Sequence, residues 1–146
     1  MQIKKSVSCS LVILSIFLSL SPVMAESQQS LPTLIARADK VFAHGNSQLA
    51  FELYNQAFRL EPDDAEVNFK LGQAAVAVKD FETAVMAFER VLFVNPDNLQ
   101  AKIEMAKSFY YLGSEETARQ YFSEVLEADI PDEARAAISS FLAEMN

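Results

Sequence analysis

The sequence predicts an all-α fold, a solenoid of three helical hairpins closed by a C-terminal capping helix. The first observation behind this is a recurrence of residue types every 34 positions: Ala50, Ala84 and Ala118 share one phase, Tyr54, Phe88 and Phe122 a second, Asn46, Asp80 and Ser114 a third, and Pro62 and Pro96 a fourth. A period of that length marks stacked units that cannot bury their apolar faces alone. The second is the spacing inside each unit, where apolar residues recur three and four apart over two stretches of about 13 residues, the period of an amphipathic helix. The third is punctuation: Gly, Asn, Asp, Ser and Pro fall between the stretches, where helices end and begin.

Residues 1–25 stand before the repeats and have the layout of a secretory signal peptide. Lys4 and Lys5 precede an apolar run over residues 11–20, followed by Pro22, Val23, Met24 and Ala25. The run is about half of the ~20 residues that a bilayer-spanning helix needs. Cleavage after Ala25 is therefore expected, with no stable membrane insertion afterwards and export, in a bacterium to the periplasm, as the destination. Cys9 lies before the apolar run and not after it, which argues against a lipid anchor. Cleavage would leave no cysteine, hence no disulfide framework and no thiolate nucleophile or ligand. It would also leave 10 basic against 20 acidic side chains, a charge of about -10. Such a surface repels phosphate backbones, so nucleic acid is not an expected partner.

Residues 26–30 read as a flexible, polar lead-in. Pro32 suits the first turn of a helix, with Ser30 as its cap. The three units then span 31–64, 65–98 and 99–132, each a helix A, a turn and a helix B. The helices are expected at 33–44 and 47–60, at 65–78 and 81–94, and at 99–112 and 115–128. The intervening turns read Gly45-Asn46, Lys79-Asp80 and Gly113-Ser114; glycine permits a left-handed helix end, and Asn, Asp or Ser caps the next helix. Pro62 and Pro96, with the Asp and Asn residues after them, separate the units. Ala38, Gly72 and Ala106 on helix A face Ala50, Ala84 and Ala118 on helix B, so the paired helices can approach closely, while Tyr54, Phe88 and Phe122 fill the wider space beside them. Residues 133–146 form the capping helix, with Ala134, Ile138, Phe141, Leu142 and Met145 on one face to close the exposed end of the stack.

The unit resembles the tetratricopeptide repeat. Leu71, Gly72, Ala84, Phe88 and Pro96 stand at that family's signature offsets in the middle copy, whereas the Leu-Gly pair is Arg37-Ala38 in the first copy and Met105-Ala106 in the third. The resemblance implies a right-handed α-solenoid that acts as a protein-protein interaction module. With the run Ala-Lys-Ile-Glu-Met-Ala-Lys-Ser-Phe-Tyr-Tyr-Leu-Gly at 101–113 and the ending Ile-Pro-Asp-Glu-Ala-Arg-Ala-Ala-Ile-Ser-Ser-Phe-Leu at 130–142, residues 101–145 are further similar to the periplasmic repeat module that precedes a β-barrel in surface lipoprotein assembly modifiers. No alternating strands for such a barrel are present here. A stand-alone relative, a truncated one and a repeat protein that merely shares the cap are all compatible with that similarity.

In this family helix A lines a concave groove, and carrying its offsets across nominates contact residues. They are Ile35, Asp39 and Phe42 in the first copy, Phe69, Gln73 and Val76 in the second, and Ile103, Lys107, Tyr110 and Tyr111 in the third. The surface is apolar and aromatic, suited to a protein or peptide ligand whose backbone or acid groups Gln73 and Lys107 would bond. The lysine and asparagine clamp that some relatives use for a terminal carboxylate is absent. The competing reading is structural: aromatic residues at helical spacing often pack internally, and self-association would bury the groove in an oligomer.

Nothing nominates a catalytic residue, a cofactor site or a metal site. His44 is the sole histidine and sits in a turn, without cysteine to join it. The acidic pairs Asp63-Asp64, Glu115-Glu116 and Asp132-Glu133 stand at helix starts, where negative charge favours the dipole. Three glycines cannot build a phosphate-cradling loop. The expectation is a non-enzymatic binding module without a cofactor.

Overall fold

The computed structural model describes residues 30–145. The leader, its cleavage site and most of the lead-in lie outside the described residues. Seven helices follow in order: α1 (Leu31–Ala43), α2 (Ser47–Leu60), α3 (Ala65–Ala77), α4 (Phe81–Val94), α5 (Leu99–Tyr111), α6 (Glu115–Glu127) and α7 (Asp132–Glu144). Each packs on its neighbours in sequence, and α3 also touches α5, which makes the fold an α-solenoid.

The turns inside the hairpins explain why the helices stop where they do. Residues 45, 79 and 113 all take the left-handed conformation, with φ of 80°, 63° and 81°. In the first turn the Gly45 N–H bonds the Phe42 carbonyl and the Asn46 N–H reaches back to Val41; the second and third repeat this with Val76 and Ala75, and with Tyr110 and Phe109. Paired bonds of this kind satisfy the last carbonyls of a helix and end it. His44, Val78 and Leu112, expected as last helical residues, are thus the capping residues themselves; Ala128, also expected as helical, is the extended residue that caps α6 before α7.

Asn46, Asp80, Asp64 and Asn98 accept the expected backbone hydrogen bonds from Leu49, Thr83, Val67 and Ala101. Two caps need correction. The Ser30 and Ser114 side chains bond no backbone N–H of their helices. The Ser30 hydroxyl pairs with that of Thr33 at 2.9 Å. Glu115 and Glu116 in the first turn of α6 supply the negative charge its N-terminus favours.

Three core clusters run along the stack, and each takes side chains from the helix A that follows it. Leu34, Leu53 and Tyr54 pack with Val67 and Leu71 of α3; Ala84, Phe88 and Val91 with Ala101 and Met105 of α5; Ala118, Phe122 and Val125 with Ile138 and Met145 of α7. Burying one such large side chain is worth ~1.5–3 kcal/mol. Gly72 is needed here, since a Cβ at that position would lie 2.7 Å from the Phe88 ring. The Pro62 turn is held by Asn68, buried on α3, whose amide donates to the carbonyls of Pro62 and Asp64 at 2.7 and 2.8 Å. Two arginines fasten α7: Arg135 donates to the Leu126 carbonyl at 2.9 Å and Arg119 to that of Met145 at 3.1 Å.

Candidate functional site

The first helix of each hairpin, together with α7, contributes to one face of the stack, and the nominated contact residues lie on α1, α3 and α5. None is fully buried: Gln73 and Tyr111 are exposed and the other eight half-buried. Helical periodicity explains this, because the buried residues of α3, among them Leu71, Gly72, Ala74 and Ala75, leave Phe69, Gln73 and Val76 to the flank.

Two cavities open on this face. Phe69 and Gln73 line one of about 360 Å³, whose other walls include Lys70, Val91, Asn95 and Asn98. Ile103 and Lys107 line another of about 330 Å³, which Ala134, Ala137, Ile138 and Phe141 of α7 complete. Phe69 is braced from behind by the edge of Phe88, with ring centroids 5.8 Å apart. Val76 packs on the middle core cluster, and Ile35 and Phe42 on the first.

The two tyrosines part ways with a simple groove role. Tyr110 meets the Phe141 ring edge-on at 5.2 Å, so its burial comes from α7. Tyr111 stacks on Phe81 at 4.7 Å and remains 54% exposed. For Tyr110 internal packing accounts for part of its placement; Tyr111 stays open to solvent despite its ring contacts.

The charged residues are already paired. Asp39 accepts from the Tyr54 hydroxyl at 2.6 Å and from Lys70 at 2.7 Å, which joins α1, α2 and α3. Burial pushes the Asp39 carboxyl up, but the bonds from Lys70 and Tyr54 and the ammonium charge outweigh it and hold the carboxyl below its usual range. Burial, followed by the bond to Asp39 and the charges of Asp39 and Glu66, pushes the Tyr54 phenol well above its ordinary value. Asp39 thus ties two copies together. Lys107 lies 3.1 Å from Glu104 on the same helix, so a ligand acid would have to compete with that carboxylate.

Among the lining residues that were not nominated from sequence are Lys70, Ala137 and Phe141. For the last two a signal existed. Counting one 34-residue period on from Ile103 and Lys107 reaches Ala137 and Phe141, which shows that the capping helix occupies the helix A phase of a further copy. Lys70 offered no such signal, since only the fold brings it to Asp39.

Among the described residues no group of three or more His, Cys, Asp or Glu side chains could hold a metal ion. His44 is exposed, and its Nδ1 donates to the Lys40 carbonyl at 2.6 Å. No described helix is long and apolar enough to cross a membrane.

Comparison with known proteins gives the fold a family. The tetratricopeptide repeat model matches residues 35–98 and again 69–133. Human peptidyl-prolyl cis-trans isomerase FKBP4 is 39% identical over 57 residues, which is 39% of this chain and only 12% of that protein. The type III secretion chaperone SycD of Yersinia enterocolitica, solved with a peptide of the translocator YopD, superposes with a TM-score of 0.70 at 18% identity, over 81% of this chain and 93% of that one. The first repeat domain of Spaghetti (RPAP3), bound to an HSP90 peptide, gives 0.65 at 20% identity over 83% and 98%. MamA gives 0.65 at 17% identity over 70% of this chain and 60% of its own. At these identities the solved structures share the fold.

Proposed function

The chain belongs to the tetratricopeptide repeat family, and from that premise we propose that it is a protein-interaction module holding a peptide of a partner protein against the helix A face. The observation that carries this reading is the pair of cavities at Phe69 and Gln73 and at Ile103 and Phe141, open on the same face. Each has the volume for a large apolar side chain. Exposed Gln73 offers an amide to the ligand backbone. Peptides bound to SycD and to Spaghetti support the assignment by analogy of fold.

The reading extends to place. The leader-like residues 1–25 support export, and in a bacterium a periplasmic location. The similarity of residues 101–145 to the module of surface lipoprotein assembly modifiers supports a role in envelope or outer-membrane assembly. The acidic balance favours a basic partner.

Gln73→Arg and Ala137→Arg test the proposal, because both positions are exposed and line the cavities, so the fold tolerates them. Each is expected to abolish co-purification of the partner captured by the unsubstituted protein from envelope extract, with helicity and melting temperature retained. Undiminished capture by both variants would refute the groove assignment. N-terminal sequencing of protein recovered from the periplasm is expected to begin at Glu26; recovery only from cytoplasm, starting at Met1, would refute export.

A further inference from the structure

The two cavities on the helix A face share a phase of the repeat, yet their chemistry differs. Glu66, Phe69, Lys70 and Gln73 of α3 correspond, one period on, to Gln100, Ile103, Glu104 and Lys107 of α5. At the α3 cavity one ammonium serves two carboxylates: Lys70 Nζ lies 2.7 Å from Asp39 and 3.6 Å from Glu66. The shorter contact draws it to Asp39, which the Tyr54 hydroxyl also holds at 2.6 Å. One negative charge is left over. It falls on Glu66, whose side chain is 71% exposed and lines the cavity. At the α5 cavity the charges cancel, because Glu104 accepts from Lys107 and from the Gln100 amide, each at 3.1 Å. The rest of that cavity is apolar, walled by Ile103, Phe122 and the α7 residues Ile138 and Phe141 with two alanines.

Each arrangement selects a side chain. The α3 cavity joins the exposed Glu66 carboxylate to the Phe69 ring and to the amides of Gln73 and Asn95. That combination suits a cationic head on an aliphatic stem: the stem lies along Phe69, the head reaches Glu66, and the amide oxygens accept its other N–H groups. A carboxylate entering there would face Glu66 and would have to take Lys70 from Asp39. The α5 cavity, neutral at Lys107 and apolar within, suits a branched or aromatic side chain.

We infer that the helix A face selects a peptide segment that carries an arginine or lysine for the cavity at Phe69 and Glu66 and a large apolar side chain for the cavity between α5 and α7. The inference rests on that face being the ligand site. It adds the chemistry of the ligand and its placement on the stack, with the basic side chain toward the N-terminal copy and Glu66 as the residue that sets the preference. Acidic segments are rejected, because Lys70 and Lys107 are each held by carboxylates of the chain itself.

A randomised peptide library displayed on phage and selected on protein purified from cells producing the full chain is the probe. Enriched peptides are expected to pair Arg or Lys with a large apolar residue and to be depleted in Asp and Glu. Fluorescence anisotropy of the most enriched peptide should show binding weakened about tenfold by Glu66→Gln, the scale of one charge-assisted hydrogen bond, and more by Glu66→Lys. Added salt should weaken binding to the parent chain more than to Glu66→Gln. Because the Glu66 side chain is exposed, both variants should keep their helicity. Ala137→Arg, which obstructs the second cavity, is the groove control and should abolish binding of the same peptide. Peptides that Ala137→Arg displaces but that lack a basic residue, or that ignore Glu66→Lys, would overturn this inference and leave the groove reading standing. Peptides indifferent to Ala137→Arg, or no enrichment at all, would overturn both.

Discussion

Replacing Gly72 by alanine sets two known effects against each other at one atom. In a helix interior alanine is favoured over glycine by ~1 kcal/mol, so the substitution should stabilise α3 if nothing faced it. The added methyl would lie 2.7 Å from Cε1 and Cζ of Phe88 and 3.0 Å from Cδ1, where ordinary contact begins near 3.4 Å. Phe88 is fully buried and its ring edge-packs on Phe69, so the ring has little room to retreat. Overpacking of a core by a methylene costs ~1–3 kcal/mol, and a middle value of ~2 outweighs the helix gain. The net expectation is destabilisation of ~1 kcal/mol, a fall in melting temperature of about 3–5 °C for a domain of this size. Thermal and urea unfolding followed by circular dichroism reads it. In a Phe88→Leu background the opposing ring atoms are gone, and Gly72→Ala should then stabilise by ~1 kcal/mol, a coupling of ~2 kcal/mol. A rise in melting temperature in the unsubstituted background, or the same shift in both backgrounds, would refute the close-approach argument.

Three further expectations concern single residues. Lys79→Gly relieves a left-handed lysine with φ of 63°, and urea unfolding should show a gain of up to ~1 kcal/mol, the balance of strain against backbone entropy. Tyr54→Phe removes the hydroxyl bonded to Asp39 at 2.6 Å; a loss of ~1 kcal/mol is expected by denaturant titration. Because the folded-state pKa of Asp39 is lowered, its stabilisation is complete above the ordinary carboxylate range and is lost as pH falls through the folded value. Its side chain is 43% exposed, so solvent screening holds the effect to ~1 kcal/mol or less. Acid unfolding curves between about pH 5 and 2 should therefore show a steeper loss for the parent chain than for Asp39→Asn.

How much was legible in the sequence differs between fold and face. Six helices ended within about two residues of expectation, and for α1, α3 and α5 the reason is a rule of backbone chemistry: a left-handed residue followed by Asn, Asp or Ser, at one phase of the period. Lys79 illustrates the value of the period, since lysine itself says nothing of a left-handed turn, yet its alignment with Gly45 and Gly113 does. Serine caps were less legible, because a hydroxyl has competing partners close by, as Thr33 is for Ser30. On the helix A face, the phase located residues but not their engagements. Asp39 stands where a ligand contact was expected and also joins Tyr54 and Lys70, the latter a bond across 31 positions that no local pattern reveals. Phe141 was legible only as a member of the face that closes the stack. Its second role, as a wall of the Ile103 cavity, follows once α7 is counted in the helix A phase.

The claim that the helix A face holds the partner is tested most directly by photo-crosslinking in living cells. A benzophenone side chain would replace Gln73 or Ala137 on that face, and Gln120, exposed on α6, as the control. The account predicts one and the same protein adduct at positions 73 and 137 and none of it at 120. Adducts of that protein at 120 alone, with 73 and 137 silent, would contradict it.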